Sequence, residues 1–146
     1  MQLNIENRIV QKIFLLNDIN EVLLLKRSHY GKRKGEWDLP GGRLDEGETL
    51  EQGLAREIKE EIGVDSATAS HTLFYSHSTL RKDEKEPYNY VLSLYVGEIS
   101  APTIMLSPEH DEFMWVALDR LVGTLQHPLQ IEAAERLIAN KLLRAS

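Results

Sequence analysis

The chain predicts an α/β fold, a mixed sheet sandwiched between helices, and three observations carry that prediction. Two β-rich runs near the start, Arg8 to Leu16 and Glu21 to Arg27, are close to continuously apolar, as strands covered on both faces are. A segment from Leu50 to Ile62 sets Leu50, Leu54, Ala55, Ile58 and Ile62 on one helical stripe. The C-terminal stretch Pro128 to Arg144 repeats that spacing with Ile131, Ala134, Ile138 and Leu142. At 146 residues the chain suits one domain spanning 1–146, and no repeat, low-complexity tract or linker divides it.

The elements follow in order. Asn17-Asp18-Ile19-Asn20 separates the first two runs as a hairpin turn. Ser28 to Glu36 is a polar, glycine-flanked loop, and Lys26, Arg27, Lys32, Arg33 and Lys34 gather there. Those cations can meet phosphate or simply be solvated; Arg27, at a strand end, is the best placed of them. Pro40-Gly41-Gly42 and Gly47 mark backbone that turns tightly. Thr49 followed three residues later by Gln52 reads as a capping box, so the helix begins near Leu50, and Gly63 ends it in the left-handed conformation. Ala67 to Ser78 reads as a strand, Arg81 to Pro87 as a charged loop and Tyr88 to Ile99 as a long strand. Ser107 to Glu112 is an acidic loop, Phe113 to Val116 a short strand and Leu118 to Val122 a helical turn.

Composition narrows the function classes. The net charge of −6 and the scatter of Lys and Arg argue against a nucleic-acid partner. With no cysteine, disulfides, thiolate catalysis and cysteine zinc sites are excluded. Ile13 to Leu16 and Val22 to Leu25 are too short to span a membrane, and the N-terminus lacks the apolar core of a signal peptide, so the expected location is cytoplasmic. A monomer and a homodimer are both open.

The helix after the glycine turn also has an acidic face. At about 3.6 residues per turn, Glu57, Glu60 and Glu61 stand at i, i+3 and i+4, where like charges repel unless a cation lies among them. Oxygen-only donors suit hard divalent ions, Mg²⁺ or Mn²⁺, which bind phosphate oxygens as well.

Gly42, five residues, Glu48, seven residues, Arg56-Glu57-Ile58, one residue, Glu60-Glu61, one residue, Gly63-Val64 resembles the Nudix box at every specified position. Trp37-Asp38-Leu39-Pro40-Gly41-Gly42 is similar to the approach to that box. The resemblance implies a Nudix-type α/β/α sandwich and a metal-dependent pyrophosphohydrolase of the small, MutT-like kind. Such an enzyme cleaves the phosphoanhydride of a nucleoside diphosphate linked to another moiety: a nucleoside triphosphate, a nucleotide sugar or ADP-ribose. It implies that Glu57, Glu60 and Glu61, with the carbonyl of Gly41, hold Mg²⁺ or Mn²⁺, and that one of these acids or a loop glutamate is the general base. Glu48 and Arg56 then brace the loop against the helix, with Gly42 and Gly63 as structural positions. A noncatalytic nucleotide-binding or sensor module on the same fold is the alternative.

Outside the box, Glu109, six residues before Trp115, is the first choice for an extra ligand or base, and Glu112 the second. An exposed acidic loop without a role is the other reading. His110 reads as a surface histidine. Arg27 and Arg43 are counted as substrate-binding, with Tyr30, Tyr75 and Tyr90 as aromatic platforms for a base, although tyrosines at such places are also ordinary core residues.

Overall fold

The fold is that of a computed structural model, which describes residues 5–28, 31, 33–65, 70–82, 85–100 and 102–145. Strands β1 (Glu6–Leu16) and β2 (Glu21–Arg27) fall where the apolar runs predict them. The turn between them is held by Asn17, whose side-chain oxygen accepts from the N–H groups of Ile19 and Glu21 at 3.1 and 2.9 Å. Two short strands follow, β3 (Trp37–Asp38) and β4 (Gly41–Arg43), which have no period long enough to read from sequence. Helix α1 (Leu50–Ile62) precedes β5 (Ser70–Arg81), β6 (Tyr88–Glu98), β7 (His110–Ala117), α2 (Leu118–Thr124) and α3 (Pro128–Ala145).

The sheet is mixed, as expected: β1 and β6 run parallel, and the other pairs are antiparallel. Strand order is β3-β2-β1-β6-β5, with β4 also paired to β1 and β7 to β2. Side chains alternate across a strand, and β1 shows the result. Ile13 and Leu15 pack with Leu54, Ile58 and Ile62 of α1, whereas Phe14 and Leu16 pack with Leu121 of α2 and Ala133, Ala134 and Leu137 of α3. That two-sided burial is why the strand is apolar at nearly every position. Each fully buried leucine or isoleucine contributes about 2 kcal/mol.

Several boundaries shift by a few residues from the sequence reading, and three differences matter most. The first strand after the helix is described from Ser70, ends at Arg81, and its expected start at 67–69 lies outside the described residues. The acidic loop is shorter than read, because Asp111 and Glu112 belong to β7, with Glu112 opposite Lys26 across the pair with β2. In α3 the buried stripe is Gln130, Ala133, Ala134 and Leu137, one step round from the predicted face; Ile131 and Ile138 flank it half-buried, and the Leu142 side chain lies outside the described residues. Ala133 and Ala134 are fully buried in the core cluster, although alanine is a weak apolar marker in a periodicity reading.

Helix α1 is positioned at both ends. Thr49 makes the capping box, accepting from the Gln52 N–H at 3.1 Å while the Gln52 side chain accepts from the Thr49 N–H at 3.0 Å. Gln11, buried on β1, donates to the Leu50 carbonyl at 2.8 Å and accepts from the Tyr95 hydroxyl at 2.6 Å. At the far end Gly63 is left-handed, as predicted, and the Met105 and Ser107 N–H groups cap the carbonyls of Ile62 and Glu61 at 2.9 and 3.1 Å. Those last bonds bring the segment before β7 onto the acidic end of the helix.

The turn ahead of the helix is held by a buried ion pair. Lys12 on β1 donates to the Asp38 carboxylate at 3.1 Å and to the carbonyls of Leu39 and Gly41 at 3.2 and 3.1 Å. Asp38 also accepts from Arg27 at 3.2 Å, from its neighbour's N–H at 2.8 Å and from Gln130 of α3 at 2.8 Å, and Arg33 stands 3.6 Å away. Burial alone would raise the Asp38 carboxyl; Lys12, Gln130 and Arg33 outweigh it and hold it well below the usual carboxylate range. Gly41 closes the turn at φ +132°, against β1 so tightly that a β-carbon there would collide with the Gln11 carbonyl oxygen.

Two outcomes follow for stability. Gly41→Ala is expected to cost more than about 3 kcal/mol in urea unfolding, against about 1 kcal/mol for Gly47→Ala, where φ is +86° but the space is open. Because the folded Asp38 carboxyl is depressed, its contribution is full above the unfolded value of 3.8 and is lost as pH falls from there through the lower folded value. Asp38→Asn should therefore cost about 3 kcal/mol near neutral pH, and the gap to wild type should close progressively below about pH 4.

Candidate active site

The site starts from Gly42. Its Cα faces the Glu57 carboxylate, and a β-carbon at Gly42 would come within 2.5 Å of the Glu57 Cδ. A glycine lets the turn lie flat on that side chain without displacing its carboxylate. Arg56 then organises the acids around it. Its Nε donates to Glu48 Oε2 at 2.7 Å and its Nη2 to Glu48 Oε1 at 2.9 Å, a bidentate contact that also reaches the Arg43 carbonyl at 3.1 Å. Its Nη1 contacts Glu57 at 3.0 Å and Glu60 at 3.2 Å. This raises the Arg56 guanidinium above its ordinary value, Glu48 first among the causes, and Arg56 in turn lowers Glu48.

The three helix acids are not equivalent. Glu60 is exposed and tied to Arg56; Glu57 is largely covered, its side chain 15% exposed. Glu61 is buried, and among the described residues its Oε2 has no hydrogen-bond partner. Burial pushes the Glu61 carboxyl well above its usual range; Lys12 opposes the rise, and Glu57 beside it adds to it. Like charges on adjacent turns separate, and the guanidinium between Glu57 and Glu60 takes both. Among the described residues no three Asp, Glu or His side chains converge on one point as a closed ligand set. The expected patch of three acids is thus, in this arrangement, an inner pair, Glu57 and Glu61, and an outer Glu60.

That inner pair fits a hard divalent cation. A buried, unpartnered carboxylate oxygen beside a second carboxylate calls for positive charge, and every donor on offer is oxygen. The Gly41 carbonyl lies at the same turn, already accepting from Lys12.

The segment between β6 and β7, with the first residue of β7, adds a second wall. His110, read from sequence as a surface residue, is buried; its Nε2 stands 3.9 Å from Glu61 Oε2, and burial, with Lys12 next, keeps it below its ordinary value. Glu109 beside it is exposed, and its carbonyl accepts from the Ser28 N–H at 2.9 Å, which joins this loop to the end of β2.

The predicted substrate-binding residues divide. Arg27 is brought to the site through Asp38, and Tyr90 stands at the same cluster, half-buried, where its hydroxyl feels Lys12, Arg33 and Arg81. The Arg81 guanidinium lies 5.1 Å from its ring centre. Arg43 points outward to Glu6 at 2.8 Å. Tyr75 is a wall of the core on the α3 side of the sheet, with its hydroxyl donating to Glu132 at 3.1 Å and Arg136 over its ring. Packing on that face, opposite α1, takes Tyr75 away from the acids. Tyr30 lies outside the described residues.

Sequence reasoning missed Lys12, Asp38, Gln130 and His110. One signal was available: Gln11 and Lys12 are polar residues inside an otherwise apolar strand, and both turn out to be buried and bonded. Gln130 gave none, since its partner Asp38 is 92 residues away.

Comparison with known proteins bears on the family and the fold. The chain is 28% identical to Nudix hydrolase 5 of Arabidopsis thaliana over 98% of its own length and 47% of that protein's. It is 39% identical to the 8-oxo-dGTP diphosphatase of Proteus vulgaris over 42% of its own length and 60% of that protein's. It therefore spans about half of the first of these relatives and 60% of the second. Among solved structures, the MutT protein from Methanosarcina mazei Go1 superposes with a TM-score of 0.71 at 28% identity, covering 92% of this chain and 97% of that one. The NUDIX domain model matches residues 6–140, from the first strand into the last helix. A match of that extent takes in the glycine turn, the acidic helix and the sheet that carries them, and the chain belongs to the Nudix family.

Proposed function

We propose that this chain is a divalent-metal-dependent pyrophosphohydrolase acting on a nucleoside diphosphate linked to a further group, with nucleoside triphosphates of the 8-oxo-dGTP kind as the first substrate class to test. The observation that carries the reading is the buried, unpartnered Glu61 oxygen beside Glu57, at the end of a helix braced by Arg56 and Glu48. The name of the Proteus vulgaris relative supports the choice of substrate class.

In this mechanism water attacks one phosphorus of the anhydride, the bridging P–O bond breaks, and the leaving phosphate keeps the electron pair. Glu57 and Glu61, with the Gly41 carbonyl and Glu60 at the rim, would hold Mg²⁺ or Mn²⁺. When bound, that ion supplies a Lewis acid that acidifies water and neutralises charge on the phosphates. Arg56 keeps Glu57 in register, because its guanidinium is fixed on Glu48 from the other side. Glu109 and the helix acids are the groups that can take the proton from water. Arg27 and Arg33, beside Asp38, put positive charge where the substrate's phosphates enter.

The test is a panel of dGTP, 8-oxo-dGTP, ADP-ribose and a dinucleoside polyphosphate, assayed with Mg²⁺. Glu61→Gln should lower kcat by roughly a hundredfold or more on the best substrate and abolish the rise in Tm that Mg²⁺ or Mn²⁺ produces in wild type. Full activity in that variant would end the proposal. Arg56→Lys, which keeps charge but loses the fork, should lower kcat by about ten- to a hundredfold with KM little changed, readable in steady-state kinetics.

A further inference from the structure

Lys12 is an unusual residue to find where it is. Its side chain is 8% exposed, and its three N–H donors are all used, on Asp38, Leu39 and Gly41. Burying an ammonium is costly unless opposite charge answers it. Asp38 is a poor explanation by itself, because it already has Arg27 at 3.2 Å and Arg33 at 3.6 Å. Arg33 is shared with Glu36 at 3.7 Å, so the pairing around Asp38 is not one cation to one carboxylate. Lys12 also bonds the carbonyl that the glycine turn presents, and from there it favours the charged form of buried Glu61.

We propose that Lys12 is a resident cation of the metal centre, holding the Gly41 carbonyl and limiting how tightly the Gly41–Glu61 end of the site takes a divalent ion. The inference rests on the reading of the helix acids as metal ligands. A fixed ammonium bonded to one ligand oxygen repels any second cation that shares it. It also makes that oxygen a weaker donor. Full loading of this end then needs the negative charge that a polyphosphate brings, so metal and substrate bind in concert. Lys12 is a positioning residue, since all its donors are already used within the protein.

The measurement is Mn²⁺ affinity of the full chain without nucleotide, followed by the EPR signal of free Mn²⁺, for wild type, Lys12→Met, Lys12→Gln and Lys12→Arg. Circular dichroism checks each fold. Lys12→Gln keeps a donor for the carbonyls without the charge, so it serves if Lys12→Met does not fold. Removing the charge is expected to tighten Mn²⁺ binding by about tenfold, and restoring it as arginine to bring the affinity back toward wild type. A merely structural clamp predicts the opposite sign, since a loosened Gly41 turn would weaken binding. Unchanged or weaker affinity in Lys12→Met and Lys12→Gln, with wild type binding Mn²⁺ normally, overturns this inference alone. A wild type that binds no Mn²⁺ overturns the metal centre and this inference with it.

Discussion

The buried contact between Lys12 and Asp38 decides where the glycine turn lies, and the rest of the site is hung from that turn. An ammonium bonded at once to Asp38, Leu39 and Gly41 leaves the backbone of that segment little freedom. With the segment pinned on β1, Gly42 lies against the Glu57 carboxylate, and its lack of a side chain is what makes the approach sterically allowed. Gln130 reaches the same carboxylate from α3, so the layer opposite the acidic helix also contributes to the position of the turn. A conserved-charge substitution at Lys12 or Asp38 is therefore a change to the geometry of α1's active face as much as to a local ion pair.

The second constraint is electrostatic. Glu48, Glu57, Glu60 and Glu61 crowd a single helix and its approach, an arrangement that repels itself. Arg56 relieves it by bonding Glu48, Glu57 and Glu60 together, and the backbone N–H groups that cap the end of α1 steady the turn that carries Glu61. Glu61 is left as the carboxylate whose charge the described side chains answer least. Such a residue is unfavourable for the fold taken alone, and sites of function are where unfavourable placements of this kind gather. Family membership, the oxygen-only donors and this one underanswered charge all bear on the same end of the helix.

Much of this was legible in the order of residues alone, and for reasons that can be named. The continuous apolar run of β1, the capping box at Thr49 and the left-handed stop at Gly63 depend on neighbours a few residues apart, and the brace between Glu48 and Arg56 came with the resemblance to the Nudix box. The nature of the acidic helix and of the fold class is local information of this kind. What only the tertiary structure decided is which polar groups meet across layers: Lys12 with Asp38, Asp38 with Gln130, His110 with Glu61. These partners come from different strands, from α1 and from α3, and no periodicity relates them, because their proximity is produced by strand pairing and by the packing of helices on the two faces of the sheet. The burial of Glu61, which separates it in character from Glu60 one residue earlier, is set where the end of α1 meets the segment before β7.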